Sequence, residues 1–204
     1  MSERYSFLTE TYATERQKIL GAWAMFRDDE MAWRPETRAR SVREHMVHQC
    51  VSEDNWMKNF LGITLPEPPL PAVETRLEFL RKYAASSSQR LEKLEAMPES
   101  WFEDAVPFFD VSRSRAWILV RRVAHSAHHR GQLITYLRVL GHELYSTYGP
   151  TADTGGLAQN GARVMYQYPD VETLLEAEAA GGHRPPLPGP GTKPPTERDG
   201  KMGS

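Results

Sequence analysis

The chain has 204 residues, 25 basic and 27 acidic side chains and a formal net charge of −2, which fits one domain with appendages and a sizeable core. It carries no Lys/Arg block that would suggest a nucleic-acid surface, and its single cysteine, Cys50, excludes an internal disulfide framework. No apolar run approaches the ~18 residues of a membrane span, and the N-terminus has no apolar signal region, so the expectation is a cytoplasmic protein that engages neither membrane nor nucleic acid.

Helical spacing dominates the chain. Leu8, Tyr12, Ile19, Leu20, Trp23 and Phe26 recur at one face and predict a first helix that ends before Arg34-Pro35. Ser41 is a suitable N-cap for the second helix, with Glu44 three residues on as its capping-box partner. That helix extends to about Leu61 and stops at Gly62, a residue suited to the C′ position. Next comes Thr64-Leu-Pro66-Glu-Pro68-Pro69-Leu-Pro71, an extended strut of ~3.1 Å per residue. From Ile63 to Pro71 it covers roughly 28 Å, nearly the ~30 Å of a 20-residue helix, so a parallel crossover is allowed.

A third helix is expected from about Ala72 to Ala96. Met97 to Asp110 reads as a loop bearing Trp101, Phe102, Phe108 and Phe109, aromatic candidates for a dimer contact, a bundle cap or a pocket wall. The fourth helix starts at Ser112 or Ser114 and ends at Leu140, with Gly141 as its stop. The fold class is therefore all-α, a four-helix bundle with a long connection between its second and third helices. The predicted division is a bundle domain over 1–160, an extension with a short acidic helix over 161–180, and a disordered Pro/Gly-rich tail over 181–204. The Gly/Thr-rich segment from Thr151 to Gly161 is placed either over a site mouth or elsewhere on the bundle.

Chemistry concentrates on the fourth helix. His125, His128 and His129 fall within five residues, and His125 and His129 are four apart. On a helix that spacing puts two rings within ~40° of each other and about 6 Å apart along the axis, where they can share one metal ion. Ile118, Arg122, His125, His129, Gln132 and Tyr136 follow one face. If that face is interior, the unpaired rings need a partner, which a metal supplies. His45 and His48 on the second helix both qualify as the source of a third ligand. The plainer alternative for any interior histidine is a hydrogen-bonded core residue. His142 and His183 lack such context and read as solvated, and Cys50 reads as a small buried hydrophobe. Glu53 lies ~140° from His48 on the helix wheel, which suits a residue supporting the site, or a solvated one, better than a ligand.

His125-x-x-His128-His129-Arg130-Gly131-Gln132, followed by Leu137-Arg138-x-x-Gly141, closely resembles the fourth-helix motif of the DinB/YfiT-like superfamily of metalloenzymes. Ser41-Val-Arg-Glu44-x-x-x-His48-x-x-x-x-Glu53-x-x-Trp56 is similar to its second-helix motif, and Tyr148-Gly149-Pro150-x-x-Asp153 to the ending of many members. The resemblance covers roughly residues 5 to 153. It implies His48, His125 and His129 as metal ligands, with His128, Glu53, Gln132 and Tyr136 as supporting or pocket residues. It further implies a parallel second and third helix, close helix packing at Gly131, a carboxylate held by Arg130 at the surface or in a dimer contact, and a homodimer. The implied cofactor is a divalent transition metal (zinc or nickel, with iron a further option), and the implied co-substrate is a low-molecular-weight thiol such as mycothiol or bacillithiol. On this reading the chain is a metal-dependent thiol transferase or hydrolase acting on a small molecule. The competing class is a non-enzymatic metal-binding stress-response protein, whose coordination sphere would be closed by Glu53 or His128. The sulfoxide-synthase branch, which resembles this fold with H-x-x-x-H-x-E, is disfavoured because residue 131 is Gly.

Overall fold

The computed structural model describes residues 3–192. Four long helices form its body: α1 (Ser6–Ala24), α2 (Val42–Leu61), α3 (Arg76–Glu95) and, after a short insertion, α5 (Arg115–Val139). The insertion contains α4 (Glu99–Glu103) and an antiparallel hairpin of β1 (Ala105–Phe108) and β2 (Val111–Ser114). The expected featureless loop is thus a helical turn and a hairpin, reversed at Phe109, whose φ is +53°. Helix α6 (Val171–Ala179) lies beyond the bundle, against α1 and α3.

Local chemistry sets the helix ends. The Ser41 hydroxyl accepts from the Glu44 amide at 3.2 Å while the Glu44 carboxylate accepts from the Ser41 amide at 2.7 Å, so two otherwise unpaired donors are satisfied reciprocally. Gly62 ends α2 at φ +68°, a left-handed conformation that glycine adopts without strain. Thr75 caps α3 and Ser114 caps α5, each accepting from the amide three residues on. The first places the start of α3 later than the expected Ala72; the second selects Ser114 over Ser112.

Side-chain pairings give the helix directions. Along α1 and α3, Arg16 meets Ser87 while Trp23 meets Phe79, so these two run antiparallel. Along α2 and α5, His45 meets Tyr136 and Ser52 meets Arg122, again antiparallel. Between α2 and α3 the numbers rise together: Met46 joins Phe79 in one apolar cluster, Glu53 meets Tyr83 and Arg90, and Leu61 joins Leu94 in a second cluster. These helices are parallel, as the proline strut allowed. The connector leaves the second cluster at Ile63 and reaches the first at Leu70.

The first cluster centres on Ile19, Trp23, Met46, Phe79, Tyr83, Leu133 and Leu137, the second on Leu8, Met57, Leu61, Leu94, Phe102, Ile118 and Leu119. Fully burying each such side chain stabilises the fold by about 1.5–3 kcal/mol. A polar waist lies between the clusters. There Glu53 accepts from Tyr12 (2.6 Å), Tyr83 (2.9 Å) and Arg90 (3.3 Å), and Arg130 on α5 grips the Glu15 carboxylate on α1 at 2.8 and 3.1 Å.

Four expectations are corrected here. Arg130 does hold a carboxylate, but inside the bundle. A Cβ at Gly131 would meet nothing within 4 Å, so this glycine serves no close helix contact within the described residues of the chain. His142 is buried rather than solvated, because the Glu30 carboxylate lies 2.8 Å from its Nε2. Residues 181–192, expected to be structureless, lie against the body through main-chain carbonyls: those of His183 and Pro185 accept from Gln167 and Tyr145, and Arg184 donates to the carbonyl of Met25. Residues 193–204 of the expected tail fall outside the described residues.

Candidate metal centre

The waist opens on the side where α2 meets α5. His48 projects from α2, and His125 and His129 from successive turns of α5, as their four-residue spacing dictates. One ligand atom from each lies within 4.8 Å of the other two. The ring centroids are 4.5 Å apart for His48–His129 and His125–His129, and 5.3 Å for His48–His125.

The nitrogens are prepared to accept an electron-pair acceptor. His129 Nδ1 is 2.8 Å from Gln132 Oε1; a carbonyl oxygen can only accept, so Nδ1 carries the proton and Nε2 keeps its lone pair. His48 Nε2 and His125 Nδ1 are buried and have no hydrogen-bond partner among the described residues. Burial, followed by the neighbouring cations Arg40 and Arg122, depresses His48 to about 4 and His125 to about 3; burial also lowers His129. All three rings are therefore neutral at physiological pH, the state a metal requires. The donor set fits a divalent transition ion with three protein ligands.

The remaining sequence candidates divide. Gln132 orients His129. Tyr136 donates to the carbonyl of Arg40 at 3.2 Å and lies 3.4 Å from His45 Nε2, so it pins the segment before α2 beside the site. His45, the other α2 candidate, is buried against His129 with ring centroids 5.5 Å apart and stands outside the trio. His128 is exposed, with its ring 4.9 Å from that of His129. Glu53 is the clear departure. It is neither solvated nor bonded to a histidine, but spends its oxygens on Tyr12, Tyr83 and Arg90. The Thr151–Gly161 segment is not at the mouth: Asp153 is held by Arg138 at 2.7 Å and by the Leu144 amide, and the cavity along this segment is lined by Pro186, Leu187, Pro188, Gly191 and Thr192 rather than by the histidines.

Two residues not named as site candidates shape the electrostatics: Arg122, which spacing placed only on the shared face, and Arg40, which it did not single out. Arg122 is fully buried behind the histidines, donates to Gln49 (2.9 Å), Ser52 (2.9 Å) and Ser126 (2.8 Å), and makes no ion pair among the described residues. Its position three residues before His125 was a signal for the shared face, but its lack of a counter-ion depends on what α2 presents. Arg40 borders a cavity of about 510 Å³ that is also lined by Arg34, Arg38, Glu44 and His48. On the opposite flank, Trp56 lies 5.9 Å from the His125 ring and 5.2 Å from Phe108, which packs on Trp117. The histidines thus sit between a cationic flank and an aromatic one.

A helical bundle with three convergent histidines on its second and last long helices defines a class, and the comparisons with known proteins agree. The DinB family model matches residues 1–160, and the chain belongs to the DinB family. It is similar in fold to a DinB-like protein from Bacillus subtilis (14% identity, TM-score 0.54), over 67% of this chain and 94% of that one. A DinB-like protein from Bacillus cereus shows 16% identity and TM-score 0.56, over 70% of this chain and 93% of that one. No curated protein matches. No helix among the described residues is long and apolar enough to cross a membrane.

Proposed function

We propose that this chain is a metal-dependent enzyme in which His48, His125 and His129 hold a divalent ion, zinc or nickel, to activate a small thiol or, in a hydrolytic variant of the chemistry, water. The observation that carries the reading is a trio of neutral histidines, two of them with a buried, unpartnered nitrogen, and no fourth ligand grouped with them among the described residues. When bound, such an ion keeps its full charge and an open position, and acidifies a thiol or water held there.

The chain's own residues supply the rest. Gln132 fixes the tautomer of His129. Arg122 and Arg40 place positive charge beside the site and favour an anionic form of whatever binds there. Trp56, Phe108 and Trp117 form an apolar wall that limits water on one side and strengthens these electrostatic effects. The alternative of a closed, non-catalytic site called on Glu53 or His128; Glu53 is committed elsewhere and His128 is exposed, which supports the open site.

Metal analysis by plasma mass spectrometry on the untagged protein, beside His129→Ala, tests the reading. About one equivalent of a transition metal, lost in the variant, is the expected result for a three-ligand site. A steady-state screen of small thiols with electrophiles should then show metal-dependent turnover. No metal in either protein after reconstitution would return the histidines to the status of core residues.

A further inference from the structure

The cationic flank carries more information than the metal reading uses. Three arginines line the cavity beside His48, and two are engaged. Arg34 is bound to Glu44 at 3.1 Å and to the carbonyl of Ala39; Arg38 is bound to its own-turn neighbour Glu36. The guanidinium of Arg40 has no partner among the described residues, although its backbone is held by the Tyr136 hydroxyl. The one acid on the cavity wall, Glu44, is consumed by Arg34 and the Ser41 amide.

A second observation lies inside the bundle. Arg122 is a guanidinium with no exposed surface; its three hydrogen-bond partners are neutral, its Nε has none among the described residues, and the Trp56 ring face 5.8 Å away offsets only part of its charge. A buried charge without a counter-ion is unfavourable unless something nearby offsets it. The acid closest in chain position on α2, Glu53, answers to Arg90 instead. The site is therefore positive before any ion enters, and a divalent ion would add to the excess.

We infer that the groove binds a substrate or co-substrate bearing an oxyanion, carboxylate or phosphate, and that Arg40 receives it beside the histidines. The inference deepens the proposed function and rests on it for where the reacting sulfur or oxygen sits; the anion contact itself does not need the metal. Arginine suits the role because its planar fork can hold two oxygens of one oxyanion at once.

The test loads the protein with Co²⁺ and titrates it with mercaptosuccinate or with uncharged 2-mercaptoethanol, reading the sulfur-to-cobalt absorption band. Mercaptosuccinate should bind at least about tenfold more tightly, the scale of one charge-assisted pair. Arg40→Gln should abolish that preference, read as the ratio of the two thiol affinities, and Arg40→Lys should keep part of it. Succinate and inorganic phosphate as competitors identify which oxyanion is preferred. Equal affinities in the unmodified protein, or a preference that survives Arg40→Gln, would overturn the inference. If cobalt or both thiols fail to bind, the metal or thiol reading fails separately. The anion site is then read by calorimetry of succinate and phosphate on the metal-free protein: heat that Arg40→Gln removes sustains it, and no heat refutes it.

Discussion

Two polar groups occupy the waist of this bundle, and α2 contributes to both. Toward α1 and α3, Glu53 is surrounded by Tyr12, Tyr83 and Arg90, each aimed at its carboxylate. Toward α5, His48, His125 and His129 face one another, with His48 Nε2 and His125 Nδ1 unpaired, and Arg122 has no acid partner among the described residues. Both sets are polar and largely withdrawn from water. In the first, the Glu53 carboxylate is fully answered, although Arg90 Nε has no hydrogen-bond partner among the described residues. The second has lone pairs and positive charge to spare, and on the proposed reading it is the side that takes a ligand.

The largest test of this contrast compares two buried arginines. Arg90→Met leaves the Glu53 carboxylate inside the bundle with only tyrosines, and should destabilise the protein by about 3–5 kcal/mol. Arg122→Met removes a charge that had no counter-ion; it leaves Gln49 and two serines short of a donor, so the loss should stay under about 2 kcal/mol. Chemical denaturation of the metal-free proteins measures both. If Arg122→Met were as damaging as Arg90→Met, the two halves of the waist would be equally structural.

Gln132→Ala sharpens the ligand side. It removes the acceptor that fixes the His129 tautomer, and metal affinity should fall about 10–100-fold with little change in the stability of the metal-free protein. Competition with a chromophoric chelator reads the affinity. Glu53→Gln should leave the affinity per folded molecule unchanged, since Glu53 touches none of the histidines.

A smaller effect comes from pH. His48 and His125 are depressed by burial and neighbouring cations to about 4 and about 3, whereas in the unfolded chain a histidine titrates near ~6.5. Between those values the unfolded state binds more protons than the folded one. Stability of the metal-free protein is therefore complete above the unfolded value and declines as pH falls from about 6.5 toward 4. Replacing His125 with Gln should flatten that decline; a thermal-melt series across this range with an unchanged slope would contradict the placement of the ring.

The same contrast explains what was legible in the sequence. The bundle could be read because its signals are local: the Ser41–Glu44 box, the stops at Gly62 and Gly141, and apolar spacing on each helix. The facing of His125 and His129 follows from helix geometry alone, and a motif pointed to His48. What escaped were pairings set by tertiary structure. Glu30 and His142 meet across 112 positions, and Arg130 finds Glu15 across 115. Glu53 could be placed on a helix but not matched to Tyr12 and Tyr83. Residues 181–192 dock through main-chain carbonyls, which composition does not reveal, and the hairpin at Phe109 depends on a backbone conformation that an aromatic residue rarely adopts.

The smallest prediction concerns Gly131, which separates motif from packing. The residue lies in the interior of α5, exposed, in an ordinary helical conformation, and an added methyl group would meet nothing within 4 Å. Glycine there only widens the choices open to the unfolded chain, so Gly131→Ala should raise stability by about 0.5–1 kcal/mol. For a chain of this size that is about 1–4 °C in the melting midpoint. Being on the outer side of the helix, the change should leave metal affinity untouched. A loss of stability would restore a packing role to Gly131; a loss of affinity with stability intact would instead show that something must approach the backbone closely at this turn, two residues beyond His129.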